Sequence, residues 1–412
     1  MSVHGFTCMD LLFELIQVAL GKRQELSRIP SAQEWGKAYE ESVRQAVAGI
    51  CLAGIEQLTA NGPKYMVNLP HGLKLTWIGL AEHIRQKNKR VDEQTAEIWK
   101  RLKEDGLDAA ILKGQGIATL YDNENPSTNS GQDENDNENE SQNGNLGALR
   151  QSGDIDIWVK GGYQKVCDYV QRTHPTIDVA YHRFHYDYFK NMEVELHHRP
   201  TLMRNLLDDR KLEKWYNSFG ANSFVYLKDK GFAVPPVEFN RIFILTHIYR
   251  HFLFEGIGLR QIIDYYFVLK NMNSERSSEG LNSLSSLNSL SRGNQDLGDV
   301  METLKSLRLT RFAEAMMWIL NTQLGLDEKY LICGMNEKEG RFVLSEIAQT
   351  GNFGQTDSRF SGMSILRRMT KHGIHLLLHY PSEVIWTPVW LVYHKVWKWN
   401  KVRRIKKQLD GF

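Results

Sequence analysis

The sequence has little of what marks several large classes of protein. Its four cysteines, Cys8, Cys51, Cys167 and Cys333, lie far apart and form no Cys-x-x-Cys pair, which argues against a zinc site or a disulfide framework and favours a reducing cytoplasm. No stretch offers the roughly 20 apolar residues that a transmembrane helix needs. Because 51 basic and 49 acidic residues nearly cancel, the net charge gives no overall attraction to nucleic acid.

The pattern of the 412 residues divides into three regions, a length that allows two or three domains with cores of their own. Residues 1–94 carry apolar side chains at three- and four-residue spacing, which predicts helices. Residues 95–235 alternate short apolar strands with helices, and residues 236–412 are helical again. We therefore expect an α+β fold, in which a small mixed-sheet domain is flanked by helical regions.

Two segments have compositions that do not favour a packed core. Residues 122–149 are rich in Asn, Glu, Asp, Ser and Gly, with seven acidic residues and no basic one. We expect a disordered insert here, since so little apolar area cannot offset the entropy of ordering; an acidic lid over the site is the functional alternative. Residues 273–298 contain a six-residue repeat of low complexity, which is typical of a linker or a second insert.

The stretch that organises the chain is Arg150-Gln-Ser-Gly-Asp-Ile-Asp-Ile-Trp-Val159. Side chains alternate along a strand, so Asp154 and Asp156 share one face while Ile155 and Ile157 point into a core. Two carboxylates held side by side repel each other, and a divalent cation between them is the simplest explanation. A solvated strand face is the alternative.

A third acid lies in the later stretch Asn191-Met-Glu-Val-Glu-Leu-His-His198. On a predicted strand Glu193, Glu195 and His197 share one face. Glu195 could therefore reach the same metal from a neighbouring strand. His197, on the same face, could support the metal or the substrate.

A turn upstream of the acids could hold phosphate. Ala109–Leu112 reads as a short buried strand that leads into Lys113 and Gly114. Glycine lets a backbone amide approach a phosphate closely, and lysine adds a mobile charge. A Lys-Gly pair is common in proteins, and it gains meaning here from Asp154 downstream.

In this order the motifs resemble the nucleotidyltransferase superfamily, whose pattern is a glycine-bearing turn, Asp-x-Asp on a strand and a later strand acid. The resemblance covers roughly residues 95–270 and is greatest to an uncharacterised branch of the superfamily. The matching residues are Leu112-Lys113-Gly114, Gly153-Asp154-Ile155-Asp156 and Val194-Glu195-Leu196-His197. This chain departs from the superfamily in having Gln115 after Gly114 and a longer gap before Asp154.

The resemblance implies a polymerase β-like catalytic domain that transfers a nucleoside monophosphate from an NTP to an acceptor hydroxyl and releases pyrophosphate. It implies that Asp154, Asp156 and Glu195 hold Mg²⁺ or Mn²⁺, and that Glu195 also draws the proton from the acceptor. The residues expected on the nucleotide side are Lys113, Gly114, Arg150, Gly153, Arg260 and Asp264. For Arg150, pairing with Asp154 is the alternative to binding phosphate.

Two further features have more than one reading. His247 and His251 lie four apart on a predicted helix, without the glutamate that a metalloprotease helix needs; with Arg250 they could face the nucleotide or serve packing. Trp386, Trp390, Trp397 and Trp399 precede a basic run at 401–407. They predict contact with a membrane surface or nucleic acid, or a packed terminal helix.

The acceptor is not evident from the sequence, and a small molecule, a sugar, a protein or an RNA end would each fit. Two alternatives to an enzyme remain at this point. One is a catalytically idle module that binds nucleotide or a partner, and the other is a scaffold docked on a membrane or on nucleic acid.

Overall fold

The computed structural model describes residues 8–121, 145–271, 297–352 and 373–409. The greater part of each predicted insert, residues 122–144 and 273–296, lies outside the described residues. The end of the first predicted insert is ordered, contrary to expectation: Leu146–Leu149 forms a helical turn capped by Asn145, and Leu149 is buried. Asn88 holds this turn because its amide donates to the carbonyls of Ala148 and Arg150.

The described chain is a mixed α/β structure in which helices predominate. The helices are α1 (Cys8–Ala19), α2 (Ala32–Arg44), α3 (Ala48–Asn61), α4 (His71–Glu104), α5 (Gln115–Ala118), α6 (Leu146–Leu149), α7 (Gly162–Thr173), α8 (Leu206–Ser218), α9 (Val237–Phe254), α10 (Leu259–Lys270), α11 (297–306), α12 (Thr310–Leu324), α13 (Glu337–Thr350), α14 (373–377) and α15 (Pro381–Leu409). The strands are β1 (Ala109–Ile111), β2 (Ile155–Val159), β3 (Arg183–His185), β4 (Val194–His197), β5 (Val225–Leu227) and β6 (Phe232–Val234).

Four strands form a small mixed sheet in the order β1-β2-β4-β3. β2 and β4 run parallel, and the two outer strands are antiparallel to their neighbours. The register of the parallel pair sets Asp156 opposite Glu195 and Trp158 opposite His197. The two central strands therefore bring the acids of separate sequence motifs side by side.

The sheet separates two hydrophobic cores, which confirms the predicted alternation of side chains. On one face Ile155, Ile157 and Leu196 pack with α7 and the second half of α4. On the other face Trp158 belongs to a larger core that includes α1, α3, α9, α10 and α12. The polar side chains of β2 and β4 lie on this second face, under the helices that follow the sheet.

The long helix α4 joins the two cores. Trp77 and Ala81 in its first half belong to the larger core, whereas Val91, Ile98 and Leu102 in its second half pack under the sheet. The predicted boundary at residues 94 and 95 thus falls inside a continuous helix. The larger core contains side chains from both predicted helical regions, and the division of the chain into independent domains stays a prediction.

Local sequence signals predicted the starts of two helices correctly but did not predict the strand that pairs with β4. The Ser-x-x-Glu spacing of Ser31 and Glu34 predicts a capping box, which the structure has at the start of α2. The helix α9 begins directly after Pro236. The sequence pattern also predicts strands near residues 177–181 and 186–189, but the structure has only isolated bridges there. The strand that pairs with β4 is Arg183–His185 between them, because backbone pairing with the free edge of β4, not local pattern, selects those three residues. None of the described helices has the length and apolar character required to cross a membrane.

Candidate active site

Asp156 on β2 and Asp154 directly before it face one lysine. Asp156 is 1% exposed, whereas the side chain of Asp154, directly before the strand, is 35% exposed. The ammonium nitrogen of Lys113 lies 3.0 Å from Asp156 Oδ2 and 3.9 Å from Asp154 Oδ2. Both carboxylates therefore point to the same side of the sheet, as the alternation of the strand requires.

Burial and charge oppose each other in this group. Burial lowers the pKa of Lys113, but the carboxylates of Asp154 and Asp156 raise it more, so the net shift is upward. For Asp156, burial raises the pKa of the carboxyl, while Lys113 and the hydrogen bond from His197 bring it below its usual range. The lysine is thus held as a cation and Asp156 as an anion.

Glu195, the third predicted acid, is connected to Asp156 by a histidine that lies between them. His197 Nε2 is 2.8 Å from Asp156 Oδ1 and 3.3 Å from Glu195 Oε2, and all three side chains are buried. Glu195 also forms an ion pair with Arg183 on β3. Burial raises the pKa of Glu195, as does Asp156, although the hydrogen bond from His197 acts against this rise. The network fixes the rotamers of the two acids before any ligand binds.

Asp156, Glu195 and His197 form a group that could hold a metal ion. Each offers one ligand atom, and these atoms all lie within 4.8 Å of one another. Two carboxylate oxygens and an imidazole nitrogen suit a divalent cation of moderate hardness. The set predicted from the sequence had Asp154 in place of His197, and metal binding by Asp154 stays a prediction.

A pocket in front of the aspartates gathers most of the predicted site. It has an empty volume of about 470 Å³, part of it open to solvent. Neither Glu195 nor His197 is among the lining residues, and of the group that could hold a metal only Asp156 lines the pocket. The predicted residues that line the pocket are Lys113, Gly114, Arg150, Gly153, Asp154, Asp156, Arg260 and Asp264.

The cationic side of the pocket is built around a buried ion pair. Arg150 donates from Nε and Nη2 to the two oxygens of Asp264, at 2.6 and 2.7 Å, and the Tyr121 hydroxyl donates to the same carboxylate at 2.6 Å. Arg150 therefore pairs with Asp264 and not, as the alternative had it, with Asp154. Its Nη1 is buried without a hydrogen-bond partner among the described residues, which leaves a donor at the pocket.

The turn after β1 approaches the aspartates closely. Gly114 has φ +61° and ψ −114°, a conformation that residues with a Cβ rarely adopt. An added Cβ would lie 3.5 Å from the carbonyl oxygen of Asp154, which is ordinary contact, so the backbone conformation and not lack of space requires glycine. Gln115, the departure from the superfamily turn, donates its amide to Asp92 of α4.

The histidines of α9 are divided between the pocket and the surrounding packing. His247 lines the pocket, and burial followed by the charge of Lys113 lowers its pKa well below the usual range. His251 and Arg250 are not lining residues; both contact Glu255. Of the three residues of this helix that were considered for the nucleotide side, His247 lines the pocket, and Arg250 and His251 do not.

Sequence reasoning missed several residues around the site. His182, whose ring centre is 5.3 Å from that of His197, and Arg183 lie in or beside a strand that the sequence pattern did not reveal. Tyr121 supports Asp264 across 143 positions of sequence. The alternation of Arg183 and His185 was the one local signal available for β3, and three residues are too few to be distinctive.

The comparison with known families agrees with this geometry. Residues 145–325 match the model of a family described as uncharacterised nucleotidyltransferase. For this segment the match confirms the family recognised from the motifs. The matched segment contains Asp154, Asp156, Glu195, Arg260 and Asp264, and it begins after the turn at Lys113. No curated protein and no solved structure matches the chain.

Proposed function

We propose that this protein is a metal-dependent nucleotidyltransferase that moves a nucleoside monophosphate from an NTP to an acceptor hydroxyl and releases pyrophosphate. The observation that carries the proposal is the pocket in which Asp154 and Asp156, at the start of β2, face Lys113, with Arg150 and Arg260 also in the lining. Acids beside cations in one cleft suit a ligand that brings phosphate and a divalent ion together. The family of the segment supports the same class of reaction.

The triphosphate is assigned to the cationic part of the pocket. Lys113 balances the aspartates in the free protein, and its flexible side chain can turn from a carboxylate to a phosphate. Gly114 lets the backbone come close to a phosphate oxygen. Arg150, held rigidly by Asp264, offers the unpartnered Nη1 as a further donor.

The acids are assigned to metal binding and to the proton of the acceptor. Asp156 and Glu195, with Asp154 or His197 as further ligands, would hold Mg²⁺ or Mn²⁺, which when bound supplies charge stabilisation for the phosphates and lowers the pKa of the acceptor hydroxyl. Glu195 is the proposed proton acceptor. His197, within 3.3 Å of both acids, connects Glu195 to Asp156, which lines the pocket.

A polymerase β-like arrangement of the sheet is part of the proposal. Parallel neighbours carry Asp156 and Glu195 in direct register, which brings the two acids close enough to share a metal ion. The partners are a nucleotide and an acceptor that is a small molecule, a sugar, a protein or an RNA end, in a cytoplasmic setting.

The test compares the purified protein with Asp154→Asn. We expect the wild type to bind NTP in the presence of Mg²⁺ or Mn²⁺, measured by calorimetry, and to release pyrophosphate when a metabolite or protein extract supplies the acceptor. Asp154→Asn should lose turnover by at least about 100-fold while the melting temperature stays unchanged, because the residue is partly exposed. Asp187→Asn, an exposed aspartate that contacts His185, is the matched control. NTP binding without turnover in any extract would instead indicate an idle nucleotide-binding module.

A further inference from the structure

The long helix α15 carries an apolar stripe that faces away from the described part of the protein. Its members are spaced by four, three, four and three residues and so lie on one face of the helix. They are between 51% and 67% exposed. The residues of the stripe are Ile385, Val389, Val392, Val396 and Trp399.

The opposite face of the same helix packs against the rest of the described protein. Trp390 is buried, and the Trp397 ring lies 5.1 Å from that of Tyr181 and 5.8 Å from that of Tyr163. Glu383 anchors the first turn by accepting hydrogen bonds from the backbone of residues 204 and 205. Packing therefore explains these tryptophans and leaves the stripe unexplained, since a helix packed on one face normally turns polar residues to water.

Beyond its first turn, the helix carries charge of one sign. Between residues 384 and 407 the sequence contains seven basic residues and no acidic one. Arg403, Lys406 and Lys407 are exposed and continue the line of the stripe beyond Trp399, spaced four, seven and eight residues from it. The guanidinium of Arg403 lies 5.3 Å from the centre of the Trp399 ring. One continuous surface thus presents aliphatic side chains, a tryptophan and then three cations.

We propose that this face of α15 lies on an anionic lipid surface, with the stripe in the interface and the basic end among the headgroups. An in-plane amphipathic helix has this composition: an apolar line, an interfacial tryptophan and flanking cations. The pairing of two copies of α15 would bring fourteen basic residues together without compensating acids in this part of the helix. Nucleic acid would satisfy the cations, but it gains nothing from four exposed aliphatic side chains, since it is held by phosphate contacts and aromatic stacking.

The test is sedimentation of the full-length protein with vesicles of phosphatidylcholine alone and with phosphatidylglycerol added. We expect binding to the anionic vesicles that weakens as salt is raised. The variant Val389→Ser, Val392→Ser, Val396→Ser should lose most of this binding. The variant Arg403→Gln, Lys406→Gln, Lys407→Gln should weaken it by at least about tenfold, since each basic residue near such a surface contributes measurably.

A matched control removes the same number of exposed aliphatic side chains elsewhere. Ile29, Val67 and Leu75 are 49%, 75% and 55% exposed, and their replacement by serine should leave vesicle binding unchanged. Melting temperatures verify that each variant is folded. Three results would overturn the proposal: no binding to anionic vesicles, a vesicle-free dimer that the valine substitutions dissociate, or oligonucleotide binding that needs the valines.

Discussion

A substitution at Glu195 distinguishes an active transferase from a protein that only binds nucleotide. If Glu195 accepts the acceptor's proton, Glu195→Gln should keep most of the affinity for NTP, because the cations proposed to bind phosphate are untouched. Its rate of transfer should fall by about 10²–10⁴, the usual effect of removing a general base. Single-turnover assays of pyrophosphate release, with calorimetry of NTP binding, measure the two effects separately.

Glu193 is the internal control for this substitution. It is two positions earlier on the chain, is exposed and contacts His185. Glu193→Gln should leave both binding and rate near those of the wild type. If Glu193→Gln abolished turnover and Glu195→Gln did not, the assignment of the third acid would be wrong.

The buried pair of Arg150 and Asp264 gives a prediction about stability. Asp264→Asn leaves the Arg150 guanidinium buried without its counter-charge, and we expect unfolding to become easier by about 3–5 kcal/mol. Urea unfolding measures the change. Glu337→Gln removes a partner of Arg341 in a pair whose side chains are 62% and 68% exposed, and should cost less than about 1 kcal/mol. Equal effects would show that the buried pair contributes no more than a surface one.

The sequence could predict the orientation of a side chain within one strand, but not a contact between segments that are far apart in the chain. Alternation along the chain determines the side of the sheet to which Asp154 and Asp156 point. The same alternation in a second strand determines it for Glu195. The partner of Arg150 could not be predicted in this way, because Asp264 lies 114 positions away and only the packing of α10 against the site brings it near. The same holds for Arg183, which contacts Glu195 only because β3 pairs with β4.

At the level of elements, the attachment of α15 should depend on pH through Glu383. Burial raises the pKa of this carboxyl to about 7 in the folded protein, against a usual value of 4.5, although backbone hydrogen bonds from Arg204 and Asn205 act against the rise. The folded state therefore binds the proton more tightly than the unfolded state. The stabilisation is complete below pH 4.5 and is lost as the pH rises through about 7.

The size of this effect is on the order of 3 kcal/mol between those limits. Urea unfolding of the wild type and of Glu383→Gln at several pH values between 4.5 and 8 should give a difference in stability that changes by that order. Glutamine carries no titrating group, so the variant should lack this component. Glu302→Gln, at an exposed position of α11, should parallel the wild type. A constant difference across the range would show that Glu383 does not titrate there.

Elements that carry a long repeating pattern were predictable, and short ones were not. The periodic apolar residues predict helices over residues 237–253 and 259–269. The observed helices α9 and α10, Val237–Phe254 and Leu259–Lys270, each extend one residue further. β3 has only three residues, and its existence depends on the edge that β4 offers. The tryptophans of α15 were visible in the sequence, but which of them would face solvent depends on how the helix docks.

At the scale of the whole molecule, the two hydrophobic cores do not follow the three regions predicted from the sequence. Side chains of α1 and α3, from the first predicted region, share a core with α9, α10 and α12, from the third. Composition and local pattern cannot show that distant helices pack together, because each helix presents only an apolar stripe without specifying its partner. The site is positioned by this shared core, since α10 carries Arg260 and Asp264 to the face of β2.

A substitution far from the site tests whether that core unfolds as one unit. Leu15 in α1 is fully buried, and Leu15→Ala should cost about 2–5 kcal/mol of stability through the lost contacts and the cavity. In hydrogen exchange, we expect protection to fall together in α1, α3, α9, α12 and β2, because global unfolding exposes all of them at once. Val67→Ala, at a position that is 75% exposed, should leave exchange unchanged. If instead only α1–α3 lost protection in Leu15→Ala, the first helical region would unfold on its own, as the division at residue 94 predicts.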